Sequence, residues 1–188
     1  MDKYIYISIP KTGTNSVHKL IGNTGFNHIT ANTIRNKIGS RHYHTRLSFC
    51  FVRNPVDLVR SRYYYHKYSP NVVRKEVKDY YPETIEEWVF NMNCKTHWEE
   101  PLHKKFNPDW DLSNPLYQTK WICDKENKVI VDKVFKFDNI NEHIYQMFGR
   151  EINVENKSNK DDYVLKEETE NKIIDMFSEE INFYNTLK

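Results

Sequence analysis

The sequence predicts an α/β fold, a single domain with a mainly parallel central sheet between two layers of helices. Three observations carry that prediction. Apolar runs of strand length alternate with segments whose apolar residues recur at helical spacing. Two of the runs, residues 4–9 and 47–52, lead directly into loop-and-helix starts. The second, Leu47-Ser48-Phe49-Cys50-Phe51-Val52, is almost wholly apolar, as a central strand covered on both faces requires. No repeat, low-complexity block or Gly/Ser linker divides the 188 residues, so residues 1–188 read as one domain.

The first strand runs from Tyr4 to Ile9 and stops at Pro10, which cannot donate to a strand ladder. Lys11 to Ser16 form a tight polar loop, and Val17, Leu20 and Ile21 open a helix. Gly22 and Gly25 bracket a turn, and Phe26 to Ile29 read as a short strand. Thr30 caps a helix that ends at Gly39. After the second strand, Asn54 is a good N-cap, Pro55 a good first helical residue and Asp57 a favourable first-turn acid. That helix runs towards Tyr65, and His66 to Pro82 read as an irregular, basic and aromatic segment. Thr84 and Glu87 form a capping box for a helix carrying Ile85, Trp88, Val89 and Met92 on its apolar face, which makes Trp88 a core residue. Residues 97–115 read as a long loop over one end of the sheet, residues 116–123 are ambiguous, and residues 129–137 form a third strand. Asn139 and Glu142 pair as a cap for a helix ending at Gly149. Residues 153–162 form a polar loop. A final helix over residues 166–184 carries Ile173, Ile174, Phe177, Ile181 and Tyr184 as a stripe.

Composition narrows the function classes. The 28 basic and 26 acidic residues leave a net charge of +2, too little for nucleic-acid binding by bulk electrostatics, so an anion site must be local. The 14% aromatic content argues against disorder, although mean hydropathy is only -0.82. Cys50, Cys94 and Cys123 are odd in number and widely spaced, the pattern of reduced thiols in a cytoplasmic setting. Neither a membrane span nor a signal-peptide core is evident, so the expectation is a soluble chain.

Two strand-to-helix junctions carry the chemistry, at Lys11–Ser16 and at Arg53–Ser61, where α/β folds place their ligands. At the first, backbone N–H groups and the positive end of a helix dipole suit a phosphate or sulfate, and Lys11 adds a full charge. The order is not that of a Walker A loop, because the lysine precedes the glycine. At the second, a guanidinium and a hydroxyl two helical turns away suit another anionic group. Taken singly, the loop is also explained as a helix cap, Arg53 as an ion-pair residue and Ser61 as a surface residue. One ligand with anionic groups in two places explains both junctions.

PKTGTNS at residues 10–16 resembles the 5′-phosphosulfate loop of sulfotransferases, and FVRNPVDLVRSRYYY at residues 51–65 resembles their 3′-phosphate motif. The family's 3′-phosphate motif sets its arginine and serine eight apart, as Arg53 and Ser61 are. The chain is similar to small carbohydrate sulfotransferases, including the heparan sulfate 2-O-sulfotransferase-like group. Weaker matches are Gln118 with Trp121, Phe137-Asp138-Asn139, Asn156-Lys157-Ser158 and the terminal helix. The resemblance implies a P-loop-like sulfotransferase fold. It also implies the donor 3′-phosphoadenosine 5′-phosphosulfate and in-line transfer to an acceptor hydroxyl of a carbohydrate, with no obligatory metal. Lys11 would meet the charge of the leaving phosphate. Thr12, Gly13, Thr14, Asn15 and Ser16 would hold the 5′-phosphosulfate through backbone N–H groups and the Thr14 and Ser16 hydroxyls, while Arg53 and Ser61 would hold the 3′-phosphate. Asn15 stands where the family usually has threonine.

The acceptor hydroxyl needs a base, for which histidine has a suitable pKa. His28 occupies the place of a histidine segment in the 2-O-sulfotransferase-like relatives. His44, in the pair His42-x-His44, is the alternative, and a carboxylate remains open. If extended, that pair faces one way, but no third metal ligand is evident. Tyr63, Tyr64 and Tyr65 suit either a nucleobase or sugar contact or helix packing. Candidate acceptor contacts are His42, His44, Trp98 and Gln118, with Trp110 and the cations around it. Two competing classes are a P-loop-like nucleotide kinase, requiring magnesium and ATP, and a non-catalytic module that binds the nucleotide only.

Overall fold

The computed structural model describes residues 3–22, 26–69, 72, 75–96, 114–152 and 164–187. Three strands, β1 (Tyr4–Ile7), β2 (Leu47–Val52) and β3 (Lys133–Lys136), form a parallel sheet in the order β1-β2-β3. Tyr6 pairs with Phe49 and Val52 with Lys136, so the central strand is the apolar one, as its composition requires. Successive side chains point to opposite faces. Ile5, Ile7, Cys50 and Val52 pack on one face against helices α2 (Ala31–Ile38), α3 (Ser40–His44) and α7 (Gln118–Ile122). Tyr6, Phe49 and Phe51 pack on the other against α1 (Thr14–Ile21) and α8 (Ile140–Phe148). The result is a small three-layer α/β sandwich.

Among the described residues, a second core contains no strand. Helices α4 (Pro55–Tyr68), α6 (Ile85–Phe90) and α9 (Glu167–Met176) bury Leu58, Val59, Tyr63, Trp88, Val89 and Ile173 together. The Tyr63 ring stacks on Trp88 at 5.8 Å, and its hydroxyl donates to the Pro82 carbonyl. Truncating a fully buried tryptophan costs about 3–5 kcal/mol, so this cluster sets where α4 lies.

Several caps match the sequence. Asn54 accepts from the Val56 N–H, Thr30 from Thr33 and Thr84 from Glu87, and Gly149 closes α8 at φ 64. Other expectations are corrected. β1 ends at Ile7, because Ser8 and Ile9 turn into the loop, and β3 covers only residues 133–136. Residues 26–29 form a turn, not a strand, with His28 at φ 54. The segment 66–82 contains α5 (Lys75–Tyr80), and residues 118–122 of the ambiguous stretch are helical. Met92 lies beyond the end of α6. Asn139 makes no side-chain cap, because a 3-10 turn (Phe137–Asn139) already leads into α8. The last helix breaks at Phe177 into α9 and α10 (Ser178–Thr186), and Ile174 is exposed. His42 and His44 lie on a helix, so they do not share the extended face on which a metal pair would depend. Among the described residues, no cluster of His, Cys, Asp and Glu could hold a metal ion. The three cysteines are free and buried, and no described helix is long and apolar enough to cross a membrane.

Candidate functional site

The carboxyl ends of the three strands converge. Beyond β1 the chain passes through Lys11 at φ 69 and Gly13 at φ 78. Left-handed backbone is ordinary for glycine, uncommon for lysine, and of a kind found often at functional sites. The Thr12 and Thr14 hydroxyls both donate to the Ile9 carbonyl, at 2.8 and 3.0 Å, and pin the turn. The Thr14 hydroxyl, expected from the sequence to hold a ligand, here donates within the loop. Asn15 is exposed and Ser16 buried. Gly13 is the N-cap of α1 and offers no side-chain cap, so the helix head presents N–H groups without intrahelical acceptors.

Gly13 is required twice. Besides its φ, a Cβ there would sit 2.9 Å from Phe137 Cε2 and 3.0 Å from Ile140 Cδ1. Phe137, just past β3, also carries the Arg53 guanidinium over its ring at 5.2 Å. One aromatic residue thus packs against both junctions.

Arg53 leaves β2 with its main chain clamped by Gln118. The Arg53 N–H donates to Gln118 Oε1 and the Gln118 amide donates to the Arg53 carbonyl, both at 2.7 Å and both buried. Gln118, read from the sequence as an acceptor contact, spends its amide on positioning Arg53. Arg53 Nη1 donates to the Lys11 carbonyl at 3.3 Å, joining two motifs 42 residues apart. The Arg53 side chain is buried, and among the described residues its Nε has no hydrogen-bond partner. Burial lowers the guanidinium from its ordinary value, opposed by the Asp57 and Asp138 carboxylates, yet it stays charged.

The sequence reading missed Arg62 as a member of the site. It is buried on α4, three residues before Tyr65, whose ring lies 3.5 Å beneath the Lys11 ammonium. The missed signal was an arginine at helical spacing within the face carrying Leu58 and Tyr65. Tyr63, by contrast, is core, and Tyr64 stacks on Tyr68. Burial first, then the charges of Arg53 and Arg62, bring the Lys11 ammonium down from its ordinary value to about 7. The Lys11 ammonium thus lies in the field of two guanidinium groups, a repulsion that an anion would relieve. Ser61 is half-buried on the second turn of α4.

His28 reaches the same end of the sheet. Its N–H donates to Ser8 Oγ at 2.7 Å, and Nδ1 lies 2.9 Å from the Ser8 carbonyl. A carbonyl can only accept, so Nδ1 carries the proton and Nε2 the lone pair in the neutral ring. His42 and His44 are exposed on α3, which precedes the start of β2 and therefore lies at the opposite end of the sheet. Trp98, Trp110, His97, His103 and residues 156–158 lie outside the described residues. Comparison of the chain with protein-family models, with curated proteins and with solved structures finds no match.

Proposed function

We propose that the chain is a sulfotransferase of the P-loop-like type, taking 3′-phosphoadenosine 5′-phosphosulfate as donor and a carbohydrate hydroxyl as acceptor. The observation that supports this reading most is the meeting of the two junctions: Arg53 Nη1 donates to the Lys11 carbonyl, two residues before the Gly13 N-cap, and Arg62 adds its charge to the Lys11 surroundings. The buried Nε of Arg53, without a partner among the described residues, fits a ligand oxygen. In this reading the donor supplies an activated sulfuryl group. Backbone N–H groups of residues 12–16 orient its 5′ end, and Arg53 and Ser61 take the 3′-phosphate. Lys11, from the edge of the same loop, meets charge that develops on the leaving phosphate. His28 takes the acceptor proton at Nε2, its main chain held by Ser8 Oγ and its ring by the Nδ1 contact to the Ser8 carbonyl.

The test pairs calorimetry with an assay. Titrating 3′-phosphoadenosine 5′-phosphate and ATP in parallel should give binding of the former without magnesium. Labelled sulfate should then pass from the donor to a glycan panel, and His28→Ala should abolish transfer while leaving donor affinity intact. Tight ATP binding with no affinity for the 3′-phosphorylated nucleotide would overturn the reading and favour a kinase. Binding without transfer to any glycan would favour a nucleotide-binding module.

A further inference from the structure

The last helix of the described chain reaches the second junction twice. Glu180 on α10 is buried, and its carboxylate accepts the Thr119 N–H at 3.2 Å and the Thr119 hydroxyl as well. One turn later Tyr184 donates its hydroxyl to Asp138, whose carboxylate acts on the Arg53 guanidinium. The helix that Glu180 touches, α7, has five residues and no side-chain cap from its own N-cap residue, Tyr117. So short a helix does not stand alone in water, and a carboxylate at its head supplies both acceptor and favourable charge. Gln118, beside Thr119, holds both main-chain groups of Arg53.

We propose that Glu180 is a positioning residue for the second anion subsite: it fixes the head of α7 and, through Gln118, sets where the Arg53 main chain leaves β2. The inference rests on reading Arg53 as an anion ligand. A buried carboxylate is an expensive way to fill space, since an apolar residue of similar volume is often at least as stabilising. Its worth here lies in direction, because it aims an amide that in turn aims a guanidinium.

Hydrogen exchange on the full chain tests the link without any ligand. In Glu180→Ala the Arg53 amide should exchange about tenfold faster, while Phe49 and Cys50 amides in the same strand, which report global opening, change by less than about threefold. Glu180→Gln, which keeps an acceptor oxygen, should fall between. Should Glu180→Ala not fold, Glu180→Gln and Thr119→Val carry the measurement. Calorimetry follows with 3′-phosphoadenosine 5′-phosphate and adenosine 5′-phosphate. Glu180→Ala should weaken the first by about tenfold and the second by less than about twofold. An unchanged Arg53 amide overturns the proposal whatever binds, and so does equal weakening of the two nucleotides. If the unaltered protein binds neither nucleotide, the proposed function falls, while the exchange result still decides the role of Glu180.

Discussion

The two strand-to-helix junctions look alike in sequence and are capped differently. At the first, the N-cap is Gly13, which has no side chain, and the head of α1 is left to whatever lies in front of it. At the second, Asn54 occupies the Val56 N–H and Pro55 has none to give, so the head of α4 has fewer N–H groups left to offer. The first junction can grip an anion with its backbone. The second, in the proposed reading, would do so through side chains, those of Arg53 and Ser61. A helix start at the end of a parallel strand is therefore an anion site only when its own cap leaves it open.

The strongest way to break the first junction is Gly13→Ala. Its Cβ would meet Phe137 and Ile140, and the backbone would remain left-handed, so a stability loss of roughly 1–3 kcal/mol is expected. Affinity for a 5′-phosphorylated nucleotide should fall below detection, as calorimetry and thermal melts on the same samples would reveal. Retained affinity would mean that the loop backbone is not the grip.

Arg53→Ala tests the other mode. Binding of 3′-phosphoadenosine 5′-phosphate should weaken by about a hundredfold, and adenosine 5′-phosphate by about threefold or less, because one charge-assisted contact is lost at one end only. Arg53→Lys should recover little of it, since an ammonium cannot reproduce the planar fork.

The pH dependence of binding separates the two junctions again. In the free protein Lys11 titrates at about 7, so its charge is present below that pH and lost above it. Between pH 7 and 9, affinity for the 5′ anion should drop by about tenfold or more, with a proton taken up on binding, and Lys11→Arg should flatten the profile. Without ligand the sign reverses. The unfolded chain holds that proton up to the ordinary lysine value, so the contribution of Lys11 to folding stability rises with pH across this window. A binding profile that is flat in the unaltered protein would remove Lys11 from the cation cluster.

The smallest effect belongs to Asn54→Ala. Loss of the N-cap should cost about 1 kcal/mol in a denaturant titration, with nucleotide affinity changed by less than about twofold. A large loss of affinity would show that the head of α4 takes part in binding after all.

The chain itself determined what depends on neighbours in sequence. Strand β2 matched the apolar run residue for residue, and Asn54, Thr30, Thr84 and Gly149 acted as caps because capping is settled within one turn of chain. The helix starts after β1 and β2 were legible for the same reason. Only the tertiary structure decided what meets across distance. It brought Tyr65 beneath Lys11 and Arg62 into its field, spent the Gln118 amide on Arg53, and turned His28 back onto Ser8. It also set His42 and His44 at the far end of the sheet. Those outcomes follow from how α4 packs in the aromatic core around Trp88 and how α7 is held by Glu180. Such packing depends on partners dozens of residues away, and no local pattern in the sequence records it.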